Sequence, residues 1–119
     1  MTSTCKPSLS LLFALAAAGF GLAGFTPSAL AADPEAQLVI KNHRFEPTEL
    51  KVPAGQRVKL VVHNQDGTAE EFESHALNRE KVIPAGAKVA LFIGPLKAGR
   101  YEFFGEYHGD TAKGVIVAE

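Results

Sequence analysis

The residues that most restrict this chain are its turn formers. Pro47, Pro53-Ala54-Gly55, Asp66-Gly67, Pro84-Ala85-Gly86, Gly94-Pro95, Ala98-Gly99 and Gly109-Asp110 recur along it. Each group bends or stops regular backbone. The intervals between them are too short for helices with a buried stripe, but they suit strands. The β-type runs are Gln37 to His43, Leu50 to Val52, Arg57 to His63, Glu71 to Ala76, Lys88 to Ile93, Arg100 to Gly105 and Gly114 to Ala118. In Arg57 to His63 the alternation is clean, with Val58, Leu60 and Val62 on one face and Lys59, Val61 and His63 on the other. Only Leu77 to Val82 has the composition of a helical turn. Strands at this spacing in a chain of 119 residues predict one all-β domain, an antiparallel β-sandwich.

The N-terminus reads differently. Lys6 precedes an apolar stretch, Leu9 to Phe25, and Ala29 and Ala31 then supply the small-x-small pattern of a signal-peptidase site. The apolar run is short for a spanning helix. We expect residues 1–31 to be a Sec-type signal peptide cut after Ala31, residues 32–36 a flexible leader, and residues 37–119 the domain. That predicts an exported, periplasmic protein with no membrane insertion after cleavage.

Cleavage has a chemical consequence. The single Met and the single Cys of the chain are Met1 and Cys5, so no sulfur remains from Ala32 to Glu119. No disulfide can form, although export would permit one. The formal net charge of −1 becomes more negative when Lys6 leaves. With no basic stripe, nucleic acid is not expected as a partner.

Two segments carry a family likeness. Phe45-Glu46-Pro47-Thr48-Glu49-Leu50-Lys51-Val52-Pro53-Ala54-Gly55-Gln56-Arg57-Val58 resembles the early F-x-P-x-x-(I/L)-x-V-x-x-G-x-x-V signature of cupredoxins. Tyr101 to Glu119, YEFFGEYHGDTAKGVIVAE, resembles their Y-x-F-x-C … H … M-x-G ending. The likeness extends over nearly all of Gln37 to Glu119 and implies a Greek-key cupredoxin-like sandwich. It also implies His75 as the first histidine ligand, His108 as the second, and Asn64 as a structural tie between ligand loops. Gly105 stands at the cysteine position and Ala112 at the axial methionine position. A blue-copper centre needs a thiolate in its trigonal plane, so the cleaved chain cannot make one. The acidic stretch Glu70 to Gly86 resembles a subfamily without the blue-copper set, which includes the cupredoxin domain of EfeO-type iron-uptake components and small periplasmic proteins associated with high-affinity iron permeases.

The residues themselves suggest which metal would suit. In an extended Glu71 to His75, the side chains of Glu71, Glu73 and His75 share one face and Phe72 takes the other. Carboxylates placed side by side repel unless a cation sits between them. Joined by His108 and Glu106 of the last loop, they would form one nitrogen and oxygen site. Such donors suit copper(II), iron or zinc rather than copper(I), so the expected cofactor is a divalent or trivalent ion, copper or iron first and zinc after them. Glu70, His43 and His63 read as surface residues. There is no nucleophile with a paired base and no phosphate loop. The expected function is therefore metal binding without catalysis, in support of iron or copper uptake, with an iron permease or another inner-membrane protein as partner. The alternative is a metal-free module that docks on a membrane permease or oxidoreductase.

Overall fold

The computed structural model describes residues 2–4, 19, 21, 23–24 and 32–119. The chain divides into two units, Met1–Leu30 and Ala31–Glu119. Most of the signal peptide expected over residues 1–31 lies outside the described residues. Among those described, no helix is long and apolar enough to cross a membrane.

The second unit is all β. Its strands are β1 (Glu35–Lys41), β2 (Arg44–Glu46), β3 (Glu49–Val52), β4 (Val58–Asn64), β5 (Glu70–Ser74), β6 (Arg79–Ile83), β7 (Lys88–Ile93), β8 (Gly99–Gly105) and β9 (Lys113–Ala118). A single 3-10 turn, Glu106–His108, separates the last two. One sheet has the order β2-β1-β4-β7 and the other β3-β9-β8-β5-β6. The expected sandwich is present, and both sheets are mixed, because β1 runs parallel to β4 and β3 parallel to β9.

Three local differences from the sequence reading have clear causes. β1 begins at Glu35, because Glu35 and Ala36 pair with Lys59 and Leu60, while Arg57 lies 2.7 Å from Asp33. The first run does not continue to His43. Lys41 pairs with Arg44 across a two-residue turn, and Asn42 and His43 have φ of 53° and 55°. Two consecutive left-handed residues are the signature of the tight hairpin turn that matches strand twist. Finally, Leu77 to Val82 makes no helical turn. Asn78, at φ 52°, closes the turn after β5, and Arg79 to Ile83 returns as an edge strand paired with β5.

Alternation fills the core as expected. Val58, Leu60 and Val62 are buried, in one core cluster with Phe72, Phe103 and Ile116 of the opposite sheet. The centre is aromatic. Phe45 meets Phe103 edge-on at 4.9 Å and Phe72 at 6.2 Å. This joins β2 of one sheet to β5 and β8 of the other. The Phe103 ring lies over Gly114 so closely that a Cβ there would come within 2.3 Å of it. Edge-to-face rings add to the stabilisation from area burial. Phe103→Ala should lower the unfolding free energy by about 3–5 kcal/mol, measured by urea denaturation. A loss under about 1 kcal/mol would show that the two sheets do not depend on this cluster.

Candidate metal centre

The end of the sandwich that carries the candidate site is built around one buried acid. Glu70 opens β5 on the same face as Phe72 and Ser74, and all three are buried. A buried carboxylate requires donors. The backbone N–H groups of Glu71 and Tyr107 each donate to Glu70 Oε1 at 3.0 Å. Its other oxygen, Oε2, lies 2.5 Å from His108 Nδ1. The two atoms are hydrogen-bonded.

His108 closes the 3-10 turn. Its ring stacks on that of His43, with centroids 3.7 Å apart and planes 16° from parallel. His43 comes from the β1–β2 turn, on the other sheet. Two contacts hold that turn in its left-handed conformation, which L-residues adopt at a cost. Asp66 accepts the Asn42 and His43 backbone N–H groups at 2.8 and 2.9 Å. The Thr111 hydroxyl donates to the His43 carbonyl at 2.6 Å. Asp66 Oδ2 also lies 3.5 Å from His43 Nδ1.

Asn64 ties the segment together, as the family likeness implied. Its amide donates to the carbonyls of Thr68 and Ile83 at 2.8 and 3.1 Å, and its oxygen accepts the Asp66 N–H at 3.0 Å. Among the described residues, no buried side-chain nitrogen or oxygen lacks a partner. The site is ordered by its own hydrogen bonds.

One ligand atom each from His43, Glu70 and His108 lies within 4.8 Å of the others. Two imidazoles and a carboxylate are a donor set for borderline divalent ions. A metal ion held here would take its ligand atoms from both rings and from the Glu70 carboxylate. The rings border a depression of about 410 Å³ that is also lined by Tyr107, Asp110 and Thr111, so the centre is open to solvent on that side.

The single mixed site expected from the sequence is instead two neighbouring groups. Glu71, Glu73 and Glu106 come together, with ligand atoms within 4.8 Å of one another, but His108 turns away from them to Glu70. His75 does not join His108. It sits just beyond β5, 81% exposed at its side chain, 3.8 Å from Glu73 and beside the Phe104 ring at 5.5 Å. The reason is the hairpin: β5 ends at Ser74, whose hydroxyl accepts the Leu77 N–H and donates to the Glu102 carbonyl, and this throws His75 outward. Two of the three residues that sequence reasoning placed on the surface, Glu70 and His43, are the ones that meet His108.

Two carboxyls of the acidic group are held above their usual range. Burial first, then the Glu106 and Glu80 carboxylates, push the Glu71 carboxyl above its usual range. A hydrogen bond with Glu106, then burial, does the same to Glu73. Tyr107 is raised by burial and by Glu71.

The comparisons with known proteins agree with this architecture. Residues 12–118 match the family model of the cupredoxin-like domain. The chain belongs to that family. An uncharacterized protein of Rickettsia prowazekii (strain Madrid E) is 45% identical over 83 residues, which are 70% of this chain and 66% of that protein. The match thus spans just under two thirds of the relative. Among solved structures, auracyanin A, a "blue" copper protein from Chloroflexus aurantiacus, aligns with a TM-score of 0.64 at 16% identity, over 74% of this chain and all of that one. A purple cupredoxin from Nitrosopumilus maritimus aligns with a TM-score of 0.56 at 18% identity, over 71% and 99% of the two chains. At these identities the structural likeness is one of fold. In this cupredoxin-like domain His43, Glu70 and His108 are a group able to hold a metal ion.

Two measurements probe the electrostatics. The His43 N–H bond above all, with the Asn42 N–H and the His43 ring, holds the Asp66 carboxyl below its usual value against the opposing effect of burial. A depressed acid stabilises the fold fully above its unfolded value of about 3.9, and the benefit fades as pH falls through the lower folded value. Asp66→Asn should therefore be less stable than wild type near neutrality, and the gap should close under acid. A gap independent of pH would remove the carboxylate from this role. For the acidic group the sign reverses. Raised carboxyls favour the fold while protonated and lose that benefit as pH rises through their folded values. Glu106→Gln should raise the melting temperature of metal-free protein at neutral pH and much less in acid; a fall at neutral pH would show that these carboxylates do not repel.

Proposed function

We propose that this cupredoxin-like protein is an exported metal-binding protein that holds copper(II) or iron in the periplasm and supports uptake of one of them. One observation carries the reading: a fully buried glutamate faces two stacked histidines at the end of the sandwich, within reach of a common ion. The donors are nitrogen and oxygen only, which suits copper(II), iron and zinc. Next to them lie Glu71, Glu73 and Glu106, with His75 at the edge of Glu73. These carboxylates would attract a cation toward the centre, and with His75 they offer a second place for a hard ion. The role is binding and transfer rather than turnover. The acidic segment's likeness to the cupredoxin domains of EfeO-type iron-uptake components supports an iron permease or another inner-membrane protein as the recipient.

Titration of the metal-free protein with copper(II), iron(III) and zinc(II), followed by calorimetry, tests this. At least one ion should bind with a Kd of about 1 μM or below. Affinity should fall as the titration is repeated at lower pH through the imidazole range, because ligating histidines must be neutral. His43→Ala combined with His108→Ala should weaken binding at least about a hundredfold, while His75→Ala leaves the tightest site unchanged. No binding tighter than about 1 mM would sink the proposal and favour a docking module that works without metal. Cell fractionation, with the protein recovered from the periplasm and residues 1–31 removed, tests the location.

A further inference from the structure

Gly105 and Glu70 claim the same space. Gly105 ends β8 at the position where the family likeness puts a cysteine. A Cβ on Gly105 would lie 2.7 Å from Glu70 Cδ, 2.8 Å from Glu70 Oε1 and 2.7 Å from Ala112 Cβ. Side-chain carbons do not approach so closely, so one partner would have to move. Neither moves freely. The Glu70 carboxylate is fixed by the Glu71 and Tyr107 N–H groups and by His108. Ala112 is buried, accepts the Gly105 N–H at 2.8 Å and donates its own N–H to His108 at 2.9 Å. A side chain grown from residue 105 would thus point into the volume the carboxylate fills, next to His108 Nδ1.

We infer that Glu70 and the missing side chain at Gly105 form an exclusive pair that sets the class of ion this centre accepts. The carboxylate enters from β5 into the space that a thiolate from the end of β8 would need, and it presents anionic oxygen to His108 and His43. Thiolate favours copper(I); carboxylate with imidazole favours copper(II) and other divalent ions. Glu70 is then the residue that discriminates between oxidation states. Two neutral imidazoles alone would hold either state of copper, whereas an anionic oxygen ligand adds much more to a doubly charged ion than to a singly charged one. The inference rests on the reading of His43, Glu70 and His108 as a metal centre.

The test compares copper(II) and copper(I) affinities of the full protein carrying Cys5→Ser, which removes its one thiol, by competition with chelators of known strength, the latter without oxygen. Wild type should prefer copper(II), and Glu70→Gln, which fills the same volume without the charge, should narrow that preference at least tenfold. Loss of affinity for both ions in equal proportion, as a general loosening of the site would produce, overturns the inference while leaving a metal centre in place. If wild type binds neither ion, the metal-centre reading itself has failed. The steric half is read without metal. Gly105→Ala should lower the melting temperature by about 5 °C or more, and the same change added to Glu70→Ala should cost distinctly less, because one of the two close approaches is gone. Equal drops in the two backgrounds would show that Glu70 and a side chain at 105 do not exclude each other.

Discussion

A carboxylate removed from water is the constraint to which this end of the molecule answers. Glu70 is 1% exposed, and a charge so placed destabilises the fold unless its oxygens are met by donors. The donors come from β5 itself, through the Glu71 N–H, and from the 3-10 turn, through the Tyr107 N–H and the His108 ring. Meeting them dictates the path of the chain after β8. Gly105 has to lack a side chain, the turn has to follow at once, and Ala112 has to come back beneath it. The segment that carries His108 is shaped by Glu70 before any ion is considered.

The second histidine arrives by an independent route. His43 occupies a left-handed turn position on the opposite sheet. The conformation is unfavourable for a residue with a Cβ, and nothing in a two-residue hairpin turn demands histidine there. Asp66 and Thr111 fasten the turn from two directions. Asp66 is itself placed by the buried Asn64, which also binds the end of β6. The stacked rings therefore depend on a chain of polar contacts that links both sheets and holds the site rigid on hydrogen bonds alone. Such prior organisation lowers the ordering cost of ligand capture.

Most of the fold was legible in the sequence because strands announce themselves by alternation and by the turns that separate them. Val58, Leu60 and Val62 were on the core face by parity alone. Where the reading slipped, a local signal lost to a stronger assumption. Asn42-His43 is a hairpin pair hidden inside a run that looked continuous. Leu77 to Val82 has helix-forming residues, yet pairing with β5 overrode that preference, as tertiary contacts do. The site was less legible. The alternation that put Phe72 inward also put Glu70 inward, but a glutamate in an acidic run reads as surface, since acids are so rarely buried. Its partner lies 38 residues away, and no short-range pattern reports such a contact. His75 drew attention for its position in the chain, whereas the geometry of the β5–β6 hairpin decides where its ring goes.

The charges at this end indicate what would complete the site. Glu70 is buried and Asp66 nearly so, and among the described residues the basic side chains in contact with them are the two stacked imidazoles. The two rings stack at 3.7 Å between these acids. A divalent ion bound to both rings and to the Glu70 carboxylate would set its charge between the two acids, where it is favoured. The neighbouring Glu71, Glu73 and Glu106 deepen the negative field, so they too would favour a cation at this end. Gly105 belongs to the same arrangement: a side chain there would occupy the space through which the Glu70 carboxylate reaches His108.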